Sequence, residues 1–128
     1  MATSDYLENA LVNHVLRNTA LTSPITVHLA LFNANPTDAN ITANEVATAS
    51  YARQTVTFTN PVDGATDNTA EIAFAQATES WGNVTHIGIY DASTLGNLLY
   101  HGALSVAKTV DTNDTFKISA GNLDITLS

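Results

Sequence analysis

From Thr78 to Tyr100 the chain reads TESWGNVTHIGIYDASTLGNLLY, and this stretch constrains the fold more than any other. Ile87 and Ile89 fall on one side of a period-two run with Gly88 between them, and Gly96-Asn97 then turns the chain into Leu98 to Leu104. Alternation of this kind is the signature of β-strands with one face buried, and the Gly-Asn pair supplies the turn. No nucleophile motif, metal cluster or phosphate loop interrupts it. Two strands shaped to pack and to present surface turn the question from catalysis towards assembly.

The same period recurs along the chain. Ile25, Val27, Leu29 and Leu31 point one way, with Thr26, His28 and Ala30 on the other face. A strand is expected over 52–59 with Val56 and Phe58 inward, and another around Ala70, Ile72 and Phe74. Short strands are also expected at 84–90, 98–104, 108–110, 115–119 and 123–127. The expected core is Val27, Leu29, Leu31, Val56, Phe58, Ile72, Phe74, Ile87, Ile89, Phe116, Ile118, Leu123 and Ile125. Asn60-Pro61, Asp63-Gly64 and Ala120-Gly121-Asn122 are turn signals between these runs.

Only the first segment is helical. Ser4 or Asp5 can cap it, and Leu7, Ala10, Leu11, His14 and Val15 recur at helical spacing, with Asn18 as the stop. Replacing Leu11 with Asp is expected to destabilise the fold through that stripe. Strands without intervening helices exclude a parallel βαβ sheet. The expected fold is therefore mainly β: one antiparallel β-sandwich or jelly-roll-like domain over 1–128, with a helix in 1–20 and the sandwich in 24–128.

Composition removes several function classes. Charged residues are 12% of the chain, about half the usual share, and polarity comes from Thr, Asn and Ser. Four cations, Arg17, Arg53, Lys108 and Lys117, stand against twelve acids, for a net charge of −8. Four scattered cations cannot neutralise a phosphate backbone or hold an anionic membrane, so no nucleic-acid or membrane partner is expected. The absence of cysteine excludes disulfides and thiolate zinc sites. The N-terminus has no basic region followed by an apolar core, so no secretory leader is expected.

The search for chemistry yields little. His14, His28, His86 and His101 show neither His-x-His nor HExxH spacing, and hydrogen-bonded packing is the commoner fate of lone histidines. The Asp and Asn residues of 38–45 and 111–114 miss the EF-hand pattern and suit Asx turns. Asp91 reads as a turn-starting residue. No serine sits in a G-x-S-x-G elbow. Trp81 is open to two readings, an aromatic anchor for a sugar or protein, or a core residue at one end of the sandwich. No enzyme and no cofactor are expected.

The segments DYLENALVNHVLRNTAL, VHLALFNANPTDAN, Tyr51-Ala52-Arg53-Gln54 and SWGNVTHIGIYDASTLGNLLYHGAL occur in that order. Together they resemble a family of small tailed-phage virion proteins, often labelled tail-fibre proteins and similar to capsid-decorating ones. The resemblance implies a structural virion protein made in the host cytoplasm. Its leading form is a capsid decoration (cement) protein, a homo-oligomer with a trimer favoured, bound to the major capsid protein or to other virion proteins. The alternative is a tail-fibre or baseplate subunit that contributes to receptor binding.

The candidate interface residues are Pro36, Ile41, Val46, Arg53 and Trp81. The 33–50 segment is too long for a simple connection, so it is expected to pack along the domain or dock on a neighbour, with Ile41 and Val46 as apolar anchors. Deleting Pro36 to Ala47 is expected to leave a folded chain that no longer joins its particle. Arg53, a rare cation in an acidic chain, should have an acidic partner.

Overall fold

A computed structural model describes residues 1–127 and shows a mainly β protein with one N-terminal helix. The chain order is β1 (Ala2–Thr3), α1 (Asp5–Leu16), β2 (Val27–Phe32), β3 (Gln54–Val56), β4 (Ala65–Asp67), β5 (Ile72–Ala73), β6 (Gly82–Tyr90), β7 (Leu98–Val110), β8 (Lys117–Ile118) and β9 (Asp124–Thr126). Five strands form one antiparallel sheet in the order β1-β7-β6-β2-β3, and two short antiparallel pairs, β4-β9 and β5-β8, accompany it.

Register explains the burial. Leu29 stands opposite Ile89, Leu31 opposite Ile87, and Val27 opposite Val56, so one face of the sheet is a block of aliphatic pairs. That face shares a core with Ile72, Phe74, Phe116, Leu123 and Ile125 from the short pairs and their flanks, which gives two layers. Phe74 lies against Trp81, Tyr51 and Phe116, with ring centroids 5.7–6.2 Å apart. Each fully buried Leu, Ile or Phe here contributes about 1.5–3 kcal/mol relative to exposure.

Part of the second face of the sheet is also buried. Ala30, Phe32, Tyr90 and Leu98 form a separate cluster there. Gly88 makes it possible: a Cβ at that position would lie 2.9 Å from Leu98 Cδ1 and 3.1 Å from Phe32 Cε2. The alternation expected for β2 therefore becomes four consecutive buried residues, Leu29 to Phe32.

Local chemistry sets the boundaries. Ser4 caps α1 by accepting from Leu7 N at 3.2 Å, while its hydroxyl donates to Leu98 O and its amide to Leu99 O. The cap thus fastens the helix to β7 as well as starting it. At the far end Asn18 turns left-handed, Arg17 and Thr19 amides close on Asn13 O, and Leu21 N donates to His14 Nδ1. Asp63 and Gly64 are both left-handed between Val62 and Ala65, which bond reciprocally, the geometry of a two-residue hairpin turn.

Several expectations need correction. Val15 is exposed and only Leu7 is buried in α1, so the helix packs by its first turns; Leu11 is half-buried. Ile25 is fully exposed, because the strand begins at Val27 after Pro24. The 52–59 strand shortens to Gln54–Val56. The separate strands expected at 98–104 and 108–110 are one strand carrying a bulge. Val27, Phe58 and Ile118 sit at the core margin, and the other expected core residues are buried.

Candidate functional site

The longest irregular segment, 33–50, is tied to the sheet at both ends. Val46 N donates to Leu31 O at 3.0 Å and Asn33 N to Asn44 O at 2.9 Å, which brings Glu45 beside Phe32 at the end of β2. Glu45 there meets Arg53, carried just ahead of β3. Arg53 Nε and Nη2 donate to the two Glu45 carboxylate oxygens at 2.8 Å each, a bidentate pair whose side chains are only 5% (Arg53) and 16% (Glu45) exposed. Arg53 Nη1 donates to Ala92 O at 3.1 Å and to Leu95 O at 2.7 Å, holding the loop after β6. Its guanidinium also lies 3.7 Å from the Tyr90 ring centroid.

The cluster extends inward. Tyr51 Oη donates to Glu45 Oε2 at 2.8 Å and accepts from Leu31 N at 3.1 Å. Burial, reinforced by the Glu45 charge, pushes the Tyr51 phenol far up; burial pushes Tyr90 up to about 12. For Arg53, burial pulls down, but the Glu45 hydrogen bond and charge outweigh it and the guanidinium is held more firmly protonated. One charge pair fully hydrogen-bonded in this way fixes a geometry; it offers no free acid or base.

Two further ties hold the loop. Asn40 Oδ1 accepts from Tyr90 Oη at 2.5 Å, and Asp38 Oδ1 lies 2.6 Å from His101 Nε2 on β7. At the C-terminal end of the segment, Ser50 amide and hydroxyl donate to Glu79 Oε1 at 3.0 and 2.7 Å, while Ser50 Oγ accepts from Trp81 Nε1 at 3.0 Å. Hydrogen bonds from Thr78 and then Ser50 hold the Glu79 carboxyl down at about 2.

The five candidate residues therefore separate. Pro36, Val46 and Trp81 are buried within the chain, and Trp81 takes the core reading, edge-on to Tyr51 at 5.6 Å between ring centroids. Arg53 has the acidic partner expected of it, inside its own chain. Among the five, Ile41 alone is exposed, at 49%. Its amide donates to Pro36 O at 2.7 Å, so its position is set by a short closed turn. The deletion of Pro36 to Ala47 is consequently not a clean test of attachment: it would strip Glu45 from Arg53 and remove two core residues.

Sequence reasoning missed Glu45 as the Arg53 partner and Asp38 as the His101 partner, since neither pairing has a spacing signal. It also missed Asn68, whose amide donates to Ala70 O and Ser119 O and whose oxygen accepts from Leu123 N, joining the two short strand pairs. Asp91, read as a turn-starter, accepts from Asn97 amide and side chain at 2.7 and 2.9 Å and closes the 91–97 turn.

Residues 2–126 match the family described as "Podophage GP4 fiber I protein gp80". The match spans nearly the whole chain, and the chain belongs to that family of phage fibre proteins. No curated protein matches it. The family points to a tail fibre rather than to capsid decoration, and so supports the alternative reading from sequence better than the leading one.

Proposed function

We propose that this phage virion structural protein acts as a small tail-fibre subunit whose 33–50 loop, presenting Ile41, is the contact to a neighbouring virion protein. The observation that supports this reading is the contrast within one segment. Four side-chain ties, Glu45 to Arg53, Asp38 to His101, Asn40 to Tyr90 and Ser50 to Glu79, hold the loop, yet the apolar side chain of Ile41 is left half-exposed. A loop ordered in advance loses little conformational entropy on docking, which is what a stable structural joint requires. Asn35, Thr37, Thr42 and Asn44 around the tip suit a wet, neutral rim.

This reading assigns the chain no catalytic residues: the bidentate Arg53–Glu45 pair is a brace beneath the contact surface. A contribution to host receptor binding then comes through assembly, by placing the fibre's other parts. The test is incorporation. Particles grown with an Ile41→Asp chain as the sole source of the protein should carry it at a small fraction of normal occupancy, while the purified variant unfolds at the same urea concentration as the parent. Normal occupancy of the variant would remove the loop tip from the joint.

A further inference from the structure

Among the described residues β1 pairs with Tyr100 and His101 of β7, Met1 lies against Gly102, and no strand is assigned beside Ala103 to Lys108 on that outer edge. On its inner side the ladder with β6 breaks at the same place. Ala103 stands opposite His86 and Lys108 opposite Val84, so Leu104 to Ala107 face Thr85 alone and have no register partner among the described residues. A bulge of this size bends the strand outward, and Val106 at its crest is 70% exposed. Under the bulge opens a groove of about 630 Å³ whose far wall is formed by Phe116 to Ser119 and Asn122 to Asp124. Among the described residues β8 pairs only with β5, so this wall too ends in a strand edge with no strand beside it.

The groove gathers both cations and apolar side chains. Val106, Phe116 and Ile118 supply apolar lining, while Lys108 and Lys117 bring two of the chain's four cations to it against the single acid Asp124. Lys108 Nζ lies 5.9 Å from the Phe116 ring centroid, which steers the ammonium over the groove. In a protein of net charge −8 this is a locally basic slot of mixed polar and apolar lining, beside a strand stretch without register partners among the described residues.

We propose that the groove seats an extended acidic-apolar segment of a partner protein, laid along the Leu104–Ala107 stretch with its carboxylates on Lys108 and Lys117. Free backbone groups along a strand edge match another polypeptide, and alternate side chains of an added strand reach the apolar lining and the two ammonium groups in turn. Two cations are too few for a phosphate backbone. The inference shares with the proposed function the premise that the protein works by docking. It concerns a different surface, however, and is tested on the isolated protein, so loss of either result leaves the other standing.

The test is an NMR titration of the ¹⁵N-labelled full chain with a synthetic alternating Val-Glu octapeptide, and with an alternating Val-Lys octapeptide as control. The acidic peptide should shift the amides of Leu104 to Lys108 and Phe116 to Ser119, and the Lys108→Glu/Lys117→Glu variant should bind it about tenfold or more weakly with an otherwise unchanged spectrum. Three outcomes would each overturn the proposal: no shift with the acidic peptide at about 1 mM, equal binding of the basic peptide, or the same amides shifting with protein concentration alone. The last would identify a second copy of the chain as the occupant.

Discussion

Truncating Arg53 to alanine removes five interactions at once: two bonds to Glu45, one each to Ala92 O and Leu95 O, and the stacking on Tyr90. It also leaves the Glu45 carboxylate, 16% exposed, with the Tyr51 hydroxyl as its one remaining polar partner among the described residues. Removing one member of a buried pair costs about 3–5 kcal/mol, and the residual solvent access of Glu45 places this case near about 3. For a chain of this length that corresponds to roughly 12 °C in Tm. Trp81, the lone tryptophan and 3% exposed, reports the unfolding transition in urea by fluorescence. Replacing both members, as in Arg53→Met/Glu45→Leu, should cost less than Arg53→Ala alone, because no charge is then left buried. A loss below about 1 kcal/mol for Arg53→Ala, the range of an exposed ion pair, would refute the brace.

Other perturbations have equally definite outcomes. The Glu79 carboxyl is held at about 2 against an ordinary 4.5, so its contribution to stability is complete above pH 4.5 and is lost as pH falls towards 2; Glu79→Gln should flatten that part of the urea-midpoint profile. Gly64→Ala should destabilise by about 1–3 kcal/mol, because φ is +79° and the new Cβ would lie 2.3 Å from Leu127 O; an unchanged urea midpoint would contradict the turn geometry. Leu7→Asp should unfold the chain far more readily than Val15→Asp, since Leu7 is 8% exposed and Val15 71%; circular dichroism melts decide between them.

What the sequence revealed and concealed follows from the range of the interactions involved. The strands at Val27–Phe32 and Gly82–Tyr90 are legible in outline, as alternating runs from Ile25 and from Val84, because alternation is local. The burial of Ala30 and Phe32 was not, because it depends on a second cluster built with Tyr90 and Leu98, more than fifty residues away. Ile25 was misplaced for a similar reason: the alternation continues one step past the point where pairing stops. The strands β1 and β4 carry two and three residues, too few for any period to register. At the candidate site, the need for an acid at Arg53 was legible from charge scarcity alone. Which of twelve acids it would be was decided by the path of the 33–50 loop, and so was the separation of Ile41 from Val46.

Purified virions test the central claim most directly. Labelling the protein with a bound antibody fragment and imaging whole particles should place the density on the tail fibres, at a few copies per particle. Density distributed over the head at hundreds of copies would contradict the account and return the protein to capsid decoration.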